Sequence, residues 1–483
     1  MGAQGSAAPG GREAAWMLEY RDIYAGGRLL PAAAADVITV ANPATEEIVG
    51  SAPASTGPDV DTAVRAARLA FDTGPWPQAG PAERAAALDR LALALEARAP
   101  DTARLVTAEM GMPITLSRRH NGEAPVGILR YYAALARALR PEEIRVAIGF
   151  PGRTMVRRAP VGVAAVVAPW NYPLASALSQ LGPALAAGCT VILKPAAQTS
   201  LSGYLLAEAI EAAEFPPGVF NLVTGPHEVA ELLARHPGVD TVSFAGPAAV
   251  GRRIAMACAE TVKPVHLELG GKSAAIVLDD ADLGAAAAAL GQLAFANSGQ
   301  TRFATAQVLA PRSRYEETLA SLAAAAASRV IGDPMAPDTT VGPLVSPRHR
   351  ASVESYVAAS TARGARLAAG GRRPAAPVRG YYYQPTVLAA GTASPDAVFG
   401  PVVSVIPYCR EAEIVALLGD GGGGALAGSV WTADLARGLG LARRLQAGPF
   451  GVNGYQPDLG APDCLDAYLR ARAVFLPEPA AVS

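Results

Sequence analysis

Lysine is nearly absent from this 483-residue chain. Lys194, Lys263 and Lys272 are the whole set, and the rest of the 41 basic residues are arginine. Together with 49 glycines and 40 prolines, this bias points to a GC-rich coding sequence rather than to a function, and it singles out the lysines that remain. Cysteine is scarce as well. Cys189, Cys258, Cys409 and Cys464 form neither a CxxC pair nor a metal-ligand spacing. That excludes a disulfide-stapled scaffold, and predicts no metal centre and a reducing, cytoplasmic setting. No apolar run approaches the roughly 20 residues of a membrane-crossing helix. The N-terminus lacks the basic start and apolar stretch of a signal peptide. A net charge of −1 gives no strong pull toward nucleic acid or an acidic membrane.

What the chain does have is apolar residue in quantity, at 51%. That suffices for a large core, and the length suits two or three domains. Residues 1–16 are Gly/Ala-rich and are predicted to be a disordered tail, with Met17 as an alternative start. Helical patterns cover 58–110, with Asp59 and Pro81 as start signals. From 161, apolar strands alternate with helices. "VGVAAVVAP", "TVILKP", "GVFNLVTG" and "VDTVSFAG" are separated by segments such as "LASALSQLGPALAAG" and "AAVGRRIAMACAE". Continuous apolar strands separated by helices predict an α/β fold with a doubly wound, mostly parallel sheet. A second α/β unit is predicted from about 266. "IRVAIGFPGRTMVRRAP" (144–160) is predicted to be an extended ribbon that "AYLRARAVFL" near the end can pair with, and "GDGGGGALAG" (419–428) a flexible loop.

Ligands of such sheets sit at the carboxyl ends of the strands. There the sequence places several candidate groups. Lys194 in "LKPAAQTS" can reach ribose or phosphate oxygens, or it can be an exposed loop lysine. Gly246 and Gly251 in "FAGPAAVG" flank a helix start, where free N–H groups attract a pyrophosphate; an ordinary strand–helix turn looks the same. Pro247 suits a first helical turn but offers neither N–H nor hydroxyl. Glu268 in "HLELGGKSA" can act as a general base or can pair with Lys272. Asn171 in "APWNYPL" can donate to an oxyanion or cap a helix.

Taken in order, "APWNYPL", "ILKPAAQTS", "VSFAGPAAVGRRI", "LELGGKSAAIVLDDADL", "FANSGQTRFATAQVLAPRSRYEE", "VFGPVVSVIPY" and "LAGSVWTADLARGLGLARRLQAGPFGVNGY" resemble blocks of the aldehyde dehydrogenase superfamily from about residue 20 onward. The resemblance implies a Rossmann-like NAD(P)-binding domain (17–143 and 161–265), an α/β catalytic domain (266–464) and a small β-ribbon bridging domain (144–160 and 465–483). It also implies a homodimer or homotetramer acting on a small-molecule aldehyde. In that family a cysteine thiolate attacks the aldehyde, hydride passes to the nicotinamide, and a glutamate activates water. By resemblance, Asn171 is the oxyanion donor, Glu268 the general base and Lys194 the ribose-binding lysine. The Leu269 backbone lies beside the nicotinamide, and Phe399 packs near it. Trp170, Gly225, Gly246 and Gly251 line the cofactor cleft.

The departures from the family pattern cluster in the same places. Arg302 stands where the nucleophilic cysteine belongs. Ala197 and Ala397 replace two ribose-binding glutamates, Pro247 replaces a phosphate-loop serine, and His349 aligns with a glutamine. A Gly-, Lys- and Ser-containing loop after "VNGYQPDLGAP" is missing. An arginine cannot act as the nucleophile, and removing a nucleophile costs roughly 10⁴- to 10⁶-fold in rate. The sequence therefore predicts a degenerate member with weakened NAD or NADP binding and weak or no aldehyde oxidation. Two alternatives stand beside it. One is a non-catalytic subunit or scaffold, including a hetero-oligomer with an active relative. The other is a repurposed enzyme using Arg302 and Glu268 on an anionic substrate. Arg302 is predicted to fill the space where thiol and aldehyde would meet and to pair with Glu268.

Overall fold

The computed structural model describes residues 17–149, 151–271, 273–391, 398–419, 427–445, 448–455 and 464–476. The predicted tail 1–16, Lys272, Ala397, the interior of the Gly-rich loop and residues 456–463 lie outside these.

A seven-stranded sheet runs in the order Val265–Leu269, Thr241–Gly246, Val163–Val167, Thr190–Lys194, Phe220–Leu222, Asp22–Ala25, Arg28–Pro31. The first five strands are parallel, and the last two form an antiparallel hairpin. Side chains alternate strictly between two cores. Ala164, Val166, Val191 and Leu193 pack with the helices Pro81–Met110, Ala124–Ala138, Pro173–Ala187 and Leu201–Ala212. Val163, Ala165, Val167 and Ile192 pack with Gly57–Asp72, Glu228–Arg235 and Ala248–Ala259. Burial on both faces is why these strands read as unbroken apolar runs. The helix starts follow from local chemistry. Asp59 Oδ2 accepts from Thr56 N at 2.7 Å at the head of Gly57–Asp72. Pro81 opens its helix, with Glu83 reaching back to the Gly80 N–H at 2.6 Å.

A second seven-stranded sheet has the order Arg366–Ala369, Thr386–Ala389, Val402–Tyr408, Thr305–Pro311, Ser273–Val277, Ala427–Trp431, Phe450–Val452. The strands Glu142–Val146, Arg153–Pro160 and Leu469–Leu476 form an antiparallel ribbon, paired from Leu469↔Pro160 to Leu476↔Arg153. Two features differ from the sequence reading. The strand Val265–Leu269 is paired with Thr241–Gly246 from Val242↔Val265 to Gly246↔Leu269. Glu268 therefore belongs to the first sheet, and a unit boundary at 266 cuts through a strand. The second is a small sheet of Leu18–Glu19, Ile48–Pro53 and Val37–Ala41, whose strands are too short and mixed to show a period.

Candidate active site

The carboxyl ends of the first sheet bring the predicted groups to one edge. Val167 lies opposite Lys194, and Gly246 opposite Leu269. Lys194 is only 4% exposed, which excludes the loop-lysine reading. Burial pushes its ammonium down to about 8, with Glu228 pulling the other way. Ala197 opens the short 3-10 turn Ala197–Thr199 that follows it. Pro247 sits one residue before its helix, at the cap rather than in the first turn. Its carbonyl accepts from Val250 and Gly251 N–H, both at 3.0 Å. A Cβ at Gly251 would lie 2.4 Å from Leu269 Cδ2, so a side chain there would force Leu269 to shift. Gly225 turns the chain after Phe220–Leu222 with a φ of 138°.

Trp170 and Phe399 meet edge to face at 5.6 Å, and His349 completes the cluster at 5.4 and 6.1 Å from them. Burial lowers the His349 imidazole, opposed by the Phe399 backbone. Its Nε2 is buried with no partner among the described residues.

The loop "FANSGQTR" is held in an unusual shape. Asn297, Ser298 and Gly299 have φ of 51°, 57° and 70°, three left-handed residues in succession. For the two non-glycines this costs roughly 1–2 kcal/mol each. Surrounding hydrogen bonds offset it. Asn297 Nδ2 donates to Asn171 O at 3.1 Å, and Ser298 Oγ to Gly342 O at 2.8 Å. Gln300 Nε2 donates to Asn297 O at 3.1 Å, and Val345 N to Gln300 Oε1 at 2.9 Å. Asn171 does not cap the following helix; its Nδ2 donates to Gln300 O at 3.1 Å. Thr301 bonds Tyr172 through their hydroxyls at 2.8 Å, and Thr301 Oγ1 donates to Ala296 O at 3.1 Å.

Arg302 leaves this loop toward the first sheet, and its Nη1 pairs with Glu268 Oε2. Both side chains keep partial access to solvent, at 30% and 42%. The guanidinium carbon lies 4.9 Å from the Phe303 ring centre, and Phe303 meets Tyr455 edge to face at 6.2 Å. Cys189 and Cys258 are core residues, and burial pushes the Cys189 thiol up to about 11. Cys464 bonds Tyr132, and Cys409 is exposed beside the helix Glu411–Gly419.

Some neighbours escaped the sequence reading. His266 shares the Glu268 face of its strand by alternation, a signal that was available in "HLEL". His120 lies in a π-helical turn, Arg118–Glu123, edge-on to Tyr172 at 5.1 Å. Burial and then Arg119 lower it to about 4. Nothing in "RRHNGE" announces such a turn. Tyr455 is brought to Arg302 only by folding.

The Aldehyde dehydrogenase family model matches residues 30–462. The chain belongs to the aldehyde dehydrogenase family. It is 41% identical to geranial dehydrogenase of Castellaniella defragrans, over 95% of this chain and 99% of that protein. It is 38% identical to the 3-succinoylsemialdehyde-pyridine dehydrogenase of a Pseudomonas species, over 92% and 93%. Among solved structures, the Mycobacterium tuberculosis aldehyde dehydrogenase in complex with NAD+ matches with a TM-score of 0.92 at 38% identity, over 95% and 99%. Aldehyde dehydrogenase C of Pseudomonas syringae, a variant in complex with NAD+ and octanal, matches with a TM-score of 0.90 at 33% identity, over 94% and 96%. The chain therefore carries Arg302, paired with Glu268, within an aldehyde dehydrogenase fold.

Proposed function

We propose that this family member binds NAD or NADP, and that it oxidises aldehydes weakly or not at all because Arg302 occupies the nucleophile's place and engages the general base. The observation that carries this reading is the Arg302–Glu268 ion pair. Lys194 at its buried strand end, the free N–H groups heading Ala248–Ala259 and the Trp170–Phe399 cluster suit a dinucleotide. Related structures hold NAD+. When bound, such a cofactor supplies a hydride acceptor. Lys194 would hold ribose, the helix head the pyrophosphate, and Trp170 and Phe399 would shield the nicotinamide end. Ala197 and Pro247 withdraw polar contacts from that cofactor, which weakens its binding. Ala197 also withdraws a carboxylate that would repel a 2′-phosphate, so NADP is not disfavoured. The retained Asn171 amide would face an aldehyde oxygen, but it has no thiol adduct to stabilise.

A second reading, a non-catalytic subunit of a homo- or hetero-oligomer, is favoured by the ribbon. Ile144 and Val146 share one exposed face at 59% and 82% exposure, with Ile148 beyond them. A cavity of about 700 Å³ at the ribbon's root is walled by both apolar residues (Leu135, Leu139, Leu465) and charged ones (Arg140, Glu142, Arg158).

The deciding experiment is an aldehyde panel with NAD and with NADP, following NADH or NADPH absorbance. The wild type should stay near background, at least about 10⁴-fold below Arg302→Cys at saturating cofactor. The Arg302→Cys variant should still show a raised KM for the dinucleotide. Wild-type turnover well above background and equal to that of Arg302→Cys would refute the proposal.

A further inference from the structure

Around Arg302 the pocket has more hydrogen-bond donors than acceptors. The guanidinium presents five N–H groups, and its ion pair engages Glu268 through Nη1. That leaves the edge formed by Nε and Nη2, the fork that matches a carboxylate in side-on geometry. Nε is buried and has no hydrogen-bond partner among the described residues, and the same holds for the Tyr455 hydroxyl. The two groups belong to one cluster, since the Arg302 charge acts on Tyr455 and Phe303 contacts both side chains. Buried donors without acceptors are unfavourable, so this edge calls for an acceptor-rich ligand. The Phe303 and Tyr455 rings give the site apolar walls, which suit an organic anion better than a fully hydrated inorganic one. Arg302 keeps 30% of its side chain exposed, so a ligand can approach the residue, and reaching the buried Nε takes a small shift of the side chain.

We propose that Arg302, with Tyr455, makes this pocket a binding site for a small organic carboxylate on the Nε/Nη2 edge of the guanidinium, beside the Nη1 contact that Glu268 already holds. Glu268 opposes that binding through its charge: it keeps Nη1 and repels an incoming acid. The inference rests on the reading that Arg302 occupies the nucleophile's place. It concerns the acid, however, not turnover of the aldehyde.

The test is calorimetric titration of the full-length protein with hexanoate, its neutral isostere hexanamide, and inorganic phosphate. Hexanoate should bind and should be displaced by neither of the others. Glu268→Gln removes the repelling charge beside the site and should tighten hexanoate by about tenfold, the size of one close charge interaction. Arg302→Met should weaken it by at least about tenfold, and Tyr455→Phe by a smaller factor. Opposite signs for the Glu268 and Arg302 changes are the signature of the proposal. Equal hexanoate binding by wild type and Arg302→Met overturns it, as does failure of Glu268→Gln to bind hexanoate more tightly than wild type. The Glu268→Gln arm leaves Arg302 in place, so it decides the matter even where Arg302→Met is unstable. No aldehyde or nicotinamide is present, so wild-type aldehyde turnover, which would refute the proposed function, is read separately.

Discussion

At Gly299 the backbone is left-handed, and an added Cβ would lie 2.0 Å from Gly400 O and 2.6 Å from Pro401 N. Both neighbours are backbone, so neither can step aside as a side chain would. Gly299→Ala should therefore lower unfolding stability by at least about 2 kcal/mol, measured by denaturant titration; an unchanged midpoint would contradict this account. A single motif made part of this site legible. "NSGQTR" placed Arg302 where it faces Glu268, and the strand-end position of Lys194 matched its burial. Other neighbours were not legible for a physical reason. Tyr455 lies some 150 positions from Arg302 in sequence, and a contact of that kind is made by tertiary packing, which leaves no local pattern. Ala397, expected near the nicotinamide ribose, lies outside the described residues.

Helix Pro81–Met110 delivers Glu109 to the start of helix Leu201–Ala212. There Glu109 Oε1 accepts from Leu201 N at 2.7 Å and from Ser202 N at 3.3 Å. Glu109 is 1% exposed, and burial raises its carboxyl to about 8 despite those bonds. The folded chain therefore holds a proton that the unfolded chain releases near its ordinary value. Stability contributed by this group is present at low pH and falls as pH rises from about 4.5 toward 8, by up to about 1.4 kcal/mol per pH unit. Glu109→Gln should remove that slope, read as melting temperature across pH 5 to 8; a slope as steep as the wild type's would count against it. Elements were the most legible level. Runs such as "VGVAAVVAP" and "TVILKP" are apolar throughout because alternate residues enter different cores. The two-residue strand Leu18–Glu19 was illegible because so short a pairing has no periodicity, and Glu268 was assigned to the wrong unit because its strand stands at the sheet edge.

For the whole molecule, the ribbon exposes a cluster of apolar side chains among the described residues. Exposed apolar groups at Ile144, Val146 and Ile148 on a free-standing three-stranded sheet call for cover. If a second copy provides it, Val146→Glu should shift the protein to a smaller species in light scattering while leaving its helix content intact; an unchanged mass would exclude that surface. The doubly wound architecture could be read from alternating strands and helices, whereas the domain boundary could not, because strand pairing rather than composition sets it. One feature joins the two units directly. The left-handed stretch Asn297–Gly299 is tied to Asn171 after the first sheet and to Gly342, and it packs closely against the Gly400 backbone beside the second. None of those ties involves the side chain at 302. The loop therefore works as a rivet whose shape is independent of the group it presents. A fold built this way can exchange the chemistry of that position by a single substitution without being remade around it.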